Sequence, residues 1–345
     1  MGDAAMRMTT IAAALLLLAG PLVGRSAAAQ EALSIAPGHT LRFHASPLAE
    51  KPVTRDYSLS LTAGDWLVVN APAAIIAGAS TEPPIRLTGP AGAPVDESGR
   101  LVRRIETTGS YRLALKDFHV VAITRYPARH PVVETGLTAA QIRLSPGALG
   151  AVTTREEPME PRYDDVPPPS GMPARFAIDI GGAMTVRIYR REALRQMDLW
   201  AEDPAAQVAG WIAGDGPIAV SRDLPLFPVE NASVAYTARS ERLRGVCFTF
   251  LRYLARWTQE AAWPFDNLAY VAIGSSRDGR WFATAIAVPS LTPLPGQPAT
   301  QQDGTNPRYE AALTRQLATD PRALEPSLAA LDAVAASIAP PCAAP

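Results

Sequence analysis

The sequence predicts two folded regions. An all-β sandwich spans residues 33 to 150, and an α+β domain spans 174 to 340, with an antiparallel sheet covered by helices. Three observations predict this. The first region alternates apolar and polar residues in short runs between Gly- and Pro-containing turns. The second region mixes strand and helix periods. Between them lies REEPMEPRYDDVPPPSGMPA, whose prolines lack backbone donors and whose acids keep it in water, so residues 151 to 173 read as a linker.

Residues 1 to 29 are set apart from the fold. Arg7 precedes the apolar run IAAALLLLAG, Gly20-Pro21 ends it, and Ala27-Ala28-Ala29 offers small residues for cleavage. This is the pattern of a secretory signal peptide, and the run is too short for a stop-transfer helix. After cleavage no later segment is apolar enough to span a membrane as a helix.

In the sandwich region, Tyr57, Leu59 and Leu61 alternate with small polar residues before a turn at Ala63-Gly64-Asp65, and Trp66-Leu67-Val68-Val69 resumes the strand pattern. IRLTGPAG turns at Gly89-Pro90-Ala91-Gly92. Thr108-Gly109 precedes the strand of Tyr111, Leu113 and Leu115. Gly accepts positive φ and Pro fixes φ, so the breaks fall at these residues.

In the second region, RFAIDIGGAMTVRIYRR predicts a hairpin, with Phe176, Ile178 and Ile180 on one arm and Met184, Val186 and Ile188 on the other. Asp203-Pro204 predicts a helix start, with Val208, Trp211 and Ile212 as its apolar face. Phe250, Leu251, Leu254 and Trp257 stand at helical spacing, which predicts an amphipathic helix over ERLRGVCFTFLRYLARWTQEA. LAYVAIG and RWFATAIAV predict a second hairpin across GSSRDGRWF, where Asp278-Gly279 is the turn pair. Two helices close the chain, the last anchored by Leu328, Leu331, Val334 and Ile338.

The order YSLSLTAGDWLVV, IRLTGPAG, TTGSYRLAL over about residues 55 to 116 resembles the bacterial pre-peptidase C-terminal domain family. That resemblance implies a jelly-roll-like sandwich with an accessory or binding role and no catalysis of its own. Some members of the family hold calcium, but Asp65, Asp96, Glu97 and Asp117 are scattered here and supply no dense carboxylate cluster. From Leu224 to Ile338 the chain resembles a family of exported bacterial α+β proteins with no assigned activity, through LPLFPVENASVAYTARSERLRGV, FDNLAYVAIGSSRDGRWFATAIAVPSLTPLP and LEPSLAALDAVAASI. This chain departs from the second family at Gly274-Ser275-Ser276, where the pattern has Gly-Leu-Thr, and at Cys247, where it has Arg. The resemblance therefore implies export and architecture rather than a reaction.

The residue inventory narrows the chemistry further. The formal net charge is −1, and −2 once Asp3, Arg7 and Arg25 leave with the signal, so the field does not recruit nucleic acid. Only Lys51 and Lys116 are lysines, and richness in Ala, Pro and Arg points to a GC-rich bacterial genome and a periplasmic address. His39, His44, His119 and His130 all precede the linker without zinc-ligand spacing, and neither a G-x-S-x-G elbow nor a P-loop occurs. Asn231-Ala232-Ser233 matches a glycosylation sequon that a bacterial periplasm leaves idle. No metal or cofactor is expected.

Cys247 and Cys342 can bridge in an oxidising compartment, or Cys247 can be a buried free thiol. Asp266, Asp278 and Asp332 are the acids that merit inspection, with Arg280 and Trp281 beside the second, although Asp332 also reads as a helix cap or ion pair. Two function classes follow. One is an exported, non-catalytic protein that binds a protein, peptide or glycan of the envelope, for which exposure of Trp66, Trp200, Trp263 or Trp281 is the sign. The other is a carboxylate-dependent hydrolase with its site at the domain interface or near the 274–282 hairpin.

Overall fold

The computed structural model describes residues 31–44, 54–70, 85–98, 100–116, 120–160, 171–196, 204–214, 217–218, 227, 233–258, 263–264, 268–294, 300–301 and 307–342. The described chain is mostly β, with several sheets and four α-helices. The signal-like residues 1 to 29, Asp203, Asp266, His119, Trp200 and the sequon at Asn231 lie outside the described residues.

Two sheets form from the first part. One has five strands in the order Glu31–Leu33, Thr54–Leu61, Gly109–Lys116, Ile85–Thr88, Pro94–Ser98. The other has four, in the order His39–His44, Val120–Tyr126, Trp66–Asn70, Arg100–Arg104. Alternation decides which residues face inward: Tyr57, Leu59 and Leu61 are buried while Ser60 is exposed. These side chains share one core with Leu67, Val69, Leu101, Val121 and Ile123 of the four-stranded sheet. The Tyr111 hydroxyl donates to the Thr107 carbonyl at 2.7 Å, locking the entry to its strand. Asp65, in the turn before Trp66, is buried and paired. It is 8% exposed and accepts from Arg125 Nε at 2.6 Å.

A seven-stranded antiparallel sheet follows. Its order is Val152–Glu157, Arg175–Ile180, Met184–Arg190, Trp281–Ala287, Ala269–Ser276, Phe248–Thr258, Ser233–Arg244. Ile180 pairs with Met184, Ile178 with Val186 and Phe176 with Ile188 across a turn in which Gly181 and Gly182 have φ of 57° and 68°. A side chain at Gly181 would also strike the Leu149 carbonyl oxygen, 1.8 Å from an ideal Cβ. Both the turn and the close approach therefore require glycine there.

Helices cover both faces of this sheet. On one face Leu313 and Leu317 of the helix Pro307–Thr319, with Leu331 and Val334 of the helix Leu328–Ser337, bury Ile178, Val186, Phe250, Leu254, Tyr270 and Ala283. On the other face Val208 of the helix Pro204–Ile212 joins Leu194, Phe227, Leu251, Tyr253, Val271, Ile273 and Phe282. Ser327 caps the last helix, accepting from the Ala330 N–H at 3.3 Å.

Where an amphipathic helix is expected over 241 to 261, the described residues 241–258 form instead the end of one strand, a turn, and the strand Phe248–Thr258; residues 259 to 261 lie outside the described residues. A strand buried on both faces carries apolar residues at nearly every position, so a helical subset can be drawn from it by chance. Two expected boundaries also shift. Val152–Glu157, read as the start of a linker, is an edge strand paired to Arg175–Ile180, and Glu160 bridges to Met172; residues 161 to 170 lie outside the described residues. Leu137 and Leu149 sit in the core of the seven-stranded sheet, so the packing of residues 127 to 149 does not follow a boundary at 150.

The acids of the supposed linker hold that edge. Glu157 accepts from Arg175 Nε at 2.5 Å, Arg187 Nε at 3.0 Å and Arg155 Nη2 at 2.6 Å. Burial pushes its carboxyl up, but the hydrogen bonds and charges of Arg175 and Arg187 outweigh this and lower its pKa from 4.5 to about 2. A carboxyl lowered on folding stabilises fully above its unfolded pKa and loses that contribution as pH falls through the folded one. Glu157→Gln is expected to cost about 2 kcal/mol at pH 7 in urea unfolding, after discounting for screening. The gap from the parent protein should narrow as the pH is lowered from about 4.5 toward 2. A gap that stayed constant across that window would show that the carboxylate charge is not what the arginines hold.

Candidate functional site

The turn at 276 to 281 is built around one carboxylate. Asp278 Oδ1 accepts from Ser276 Oγ at 2.6 Å and from the Arg280 N–H at 3.1 Å, and Oδ2 accepts from Arg280 Nε at 2.7 Å. Ser276 Oγ in turn accepts from the Trp281 N–H at 2.9 Å, and Gly279 takes φ of 69°. Asp278 is thereby committed to the turn, and it fixes where Arg280 leaves the backbone.

Strand pairing brings a second cation beside this turn. Arg190 lies opposite Trp281, with its guanidinium carbon 5.8 Å from the centre of the indole ring, and donates from Nε to the Thr135 carbonyl at 2.6 Å. The chain then enters the short helix Arg191–Gln196, which presents Glu192, Arg195 and Gln196 outward. Together Arg190, Glu192, Arg195, Gln196, Gly279, Arg280 and Trp281 line an open pocket of about 620 Å³. Three arginines against one glutamate leave it positively charged on a chain whose net charge is close to zero.

The C-terminal tail is tied to two of these lining side chains. The Pro341 carbonyl accepts from Arg280 Nη2 at 2.8 Å and from Trp281 Nε1 at 3.1 Å. The next residue, Cys342, is bonded to Cys247, with Cα atoms 6.1 Å apart. Arg277 joins the same turn to the other end of that bond, donating its N–H to the Cys247 carbonyl at 3.0 Å and its Nη2 to the carbonyls of Gly245 and Val246. The disulfide therefore clasps the hairpin that carries Arg280 and Trp281.

A second polar centre lies under the last helix. Arg252, 2% exposed, stands among the apolar residues of Phe248–Thr258 opposite a register shift between Ala238 and Glu241. Its Nη2 donates to Glu241 at 2.6 Å, its Nη1 to the Arg239 carbonyl, and its Nε lies 3.0 Å from Asp332 Oδ1 at ion-pair distance but off hydrogen-bond alignment. Tyr270 donates its hydroxyl to the same Asp332 oxygen at 3.0 Å. Burial pushes the Asp332 carboxyl up, against the opposing pull of the Arg252 charge and the Tyr270 hydrogen bond. Burial and the Asp332 charge push the Tyr270 hydroxyl well above its ordinary range. Arg239, Glu241, Arg252, Asp320 and Asp332 border a cavity of about 340 Å³ beside the end of the helix Pro307–Thr319.

The hairpin residues named from the sequence, Asp278, Arg280 and Trp281, thus come together, whereas Asp332 belongs to a separate centre with Arg252 and Tyr270. Sequence reasoning missed Arg190, Arg195 and Arg252. The first two had no motif to mark them. For Arg252 the signal is a lone charge within FTFLRYLA, which a core strand admits only with partners. Trp66 is half-buried and donates to Glu134 at 2.8 Å, and His130 stacks on Tyr126 with ring centres 4.7 Å apart. Among the described residues no group of three His, Cys, Asp or Glu side chains is placed to hold a metal, and no helix is long and apolar enough to cross a membrane.

The fold and pocket define a β-rich protein with an arginine-lined recess on an antiparallel sheet. No family model, curated protein or solved structure matches the chain.

Proposed function

We propose that the chain is an exported, periplasmic, non-catalytic binding protein whose recognition site is the recess between Arg195 and Arg280. In this reading the N-terminal sheets are a jelly-roll-like domain akin to the pre-peptidase C-terminal family, and the seven-stranded sheet is a second, α+β domain akin to the exported family. A signal peptide is removed near Ala29. The observation that carries the reading is the lining itself: among the described residues, Arg190, Arg195 and Arg280 stand with Glu192 and Trp281 around an open pocket, a surplus of guanidinium donors suited to holding an anionic partner. A photo-crosslinking residue at Gln196, in cells that export the chain, is expected to capture one recurrent partner that the same residue at Lys116 does not. Capture at both positions alike would remove the recess from the proposal.

A second reading rests on Asp332. A carboxyl raised by burial, with Glu241 across Arg252 and a cavity beside them, has the chemistry of an acid for hydrolysis. Turnover of peptide, ester or glycoside panels by the mature protein, lost in Asp332→Asn, would establish that activity and overturn the non-catalytic reading.

A further inference from the structure

The polar groups around the recess are not equally committed. Arg190 is held by the Thr135 carbonyl and the Trp281 ring, and Arg280 by Asp278 and the Pro341 carbonyl. Glu192 accepts from Gln196 Nε2 at 3.1 Å. Arg195 is exposed, and among the described residues its guanidinium has no carboxylate partner. The recess thus offers one uncommitted fork beside two arginines already fixed in place, so part of the ordering cost of gripping an anion is met before it arrives.

The aromatic component argues about which anion. A sugar ring is commonly held on an open aromatic face, but Trp281 is 7% exposed, with Arg190 over its ring and its N–H given to Pro341. What remains accessible is charge and hydrogen-bond donors rather than a stacking platform. A planar carboxylate matches the guanidinium fork in two parallel bonds. We propose, resting on the binding reading above, that the recess takes a Glu or Asp side chain of an acidic peptide segment in a partner protein, gripped between Arg195 and Arg280.

Calorimetric titration of the mature protein tests this, using a Gly/Ser peptide that carries two glutamates, its two-glutamine counterpart, and an oligogalacturonate. The glutamate peptide should bind, and the glutamine peptide should bind at least about tenfold more weakly, since each charge-assisted pair lost costs at least that factor. Arg195→Ala and Arg280→Ala should each weaken binding about tenfold, and added salt should weaken it further. Arg112→Ala, which removes an exposed arginine paired with Asp56 on the five-stranded sheet, should change nothing and serves as the charge-matched control. Because Arg195 is exposed, its variant should keep the parent's thermal midpoint, so lost binding there is not lost folding. Equal binding of the two peptides, no binding of either, or insensitivity to both arginine variants overturns the proposal. Tighter binding of the oligogalacturonate than of the glutamate peptide would also overturn it, while leaving a binding protein whose ligand is a glycan; enzymatic turnover would bring down that broader reading instead.

Discussion

Arg252→Met is expected to lower unfolding stability by about 3–5 kcal/mol, measured as a shift in urea midpoint with little change in slope. The size follows from what the substitution leaves behind. The Arg252 side chain is 3% exposed, and removing it strands Asp332, whose side chain is 20% exposed, together with the Arg239 carbonyl that accepts from Nη1. Glu241 is 53% exposed and returns to water, so little of the loss comes from that partner. The remaining penalty is an uncompensated charge under the last helix.

That penalty carries a pH signature. Asp332 has a carboxyl raised by burial, so the folded protein favours its protonated form, and stability from this group declines as pH rises from the ordinary 3.8 through the folded pKa. Without the opposing Arg252 charge the folded pKa rises further, so the Arg252→Met defect should be largest at neutral pH and smaller in acid. Pairing it with Asp332→Asn should recover part of the loss, because the stranded charge is then gone. A defect below about 1 kcal/mol, or one that Asp332→Asn makes additively worse, would mean the two side chains are not a coupled buried pair.

How far the sequence could be read depended on how many faces of each strand are covered. Thr54–Leu61 buries every second residue, and its alternation was plain. Phe248–Thr258 is buried on both sides, and its composition resembles a helix face as much as a strand. Turns were legible at Gly64, Gly181-Gly182 and Asp278-Gly279, but not at Gly38, Gly136, Gly147 or Gly150, which also take positive φ. The edge strand Val152–Glu157 was not, because its side chains are mostly exposed and charged and its place depends on Arg175 and Arg187, which follow it in sequence. The recess was half visible. Arg280 and Trp281 adjoin a recognisable turn, but Arg190 and Arg195 reach it only through the pairing of Met184–Arg190 with Trp281–Ala287, which no local pattern encodes.

Replacing both cysteines, Cys247→Ala with Cys342→Ala, is expected to cost about 2–4 kcal/mol in unfolding stability and also to weaken the recess under conditions where the protein remains folded. The global part comes from the unfolded chain. A bond between residues 95 apart closes a long loop, and the chain-entropy model assigns such loops about 4–5 kcal/mol at most. The local part comes from where the bond sits. Up to Ala339 the tail has other anchors: Ile338 is fully buried, and Ala339 exchanges backbone hydrogen bonds with Arg143 at 2.9 and 3.0 Å. Beyond it, the bonds that hold Pro341 and Cys342 are the disulfide and the two donors on the Pro341 carbonyl, Arg280 Nη2 and Trp281 Nε1, both of which border the recess. A segment that lies past its last backbone anchor frays at low free-energy cost once untied. Arg280 then loses one of its two fixed partners, and the affinity for the glutamate peptide should fall severalfold well below the melting temperature. Reduction of the parent protein by dithiothreitol should reproduce the loss, and reoxidation should restore it. If binding were unchanged while stability dropped, the tail would be a staple for the fold alone, and the fixing of Arg280 would rest with Asp278.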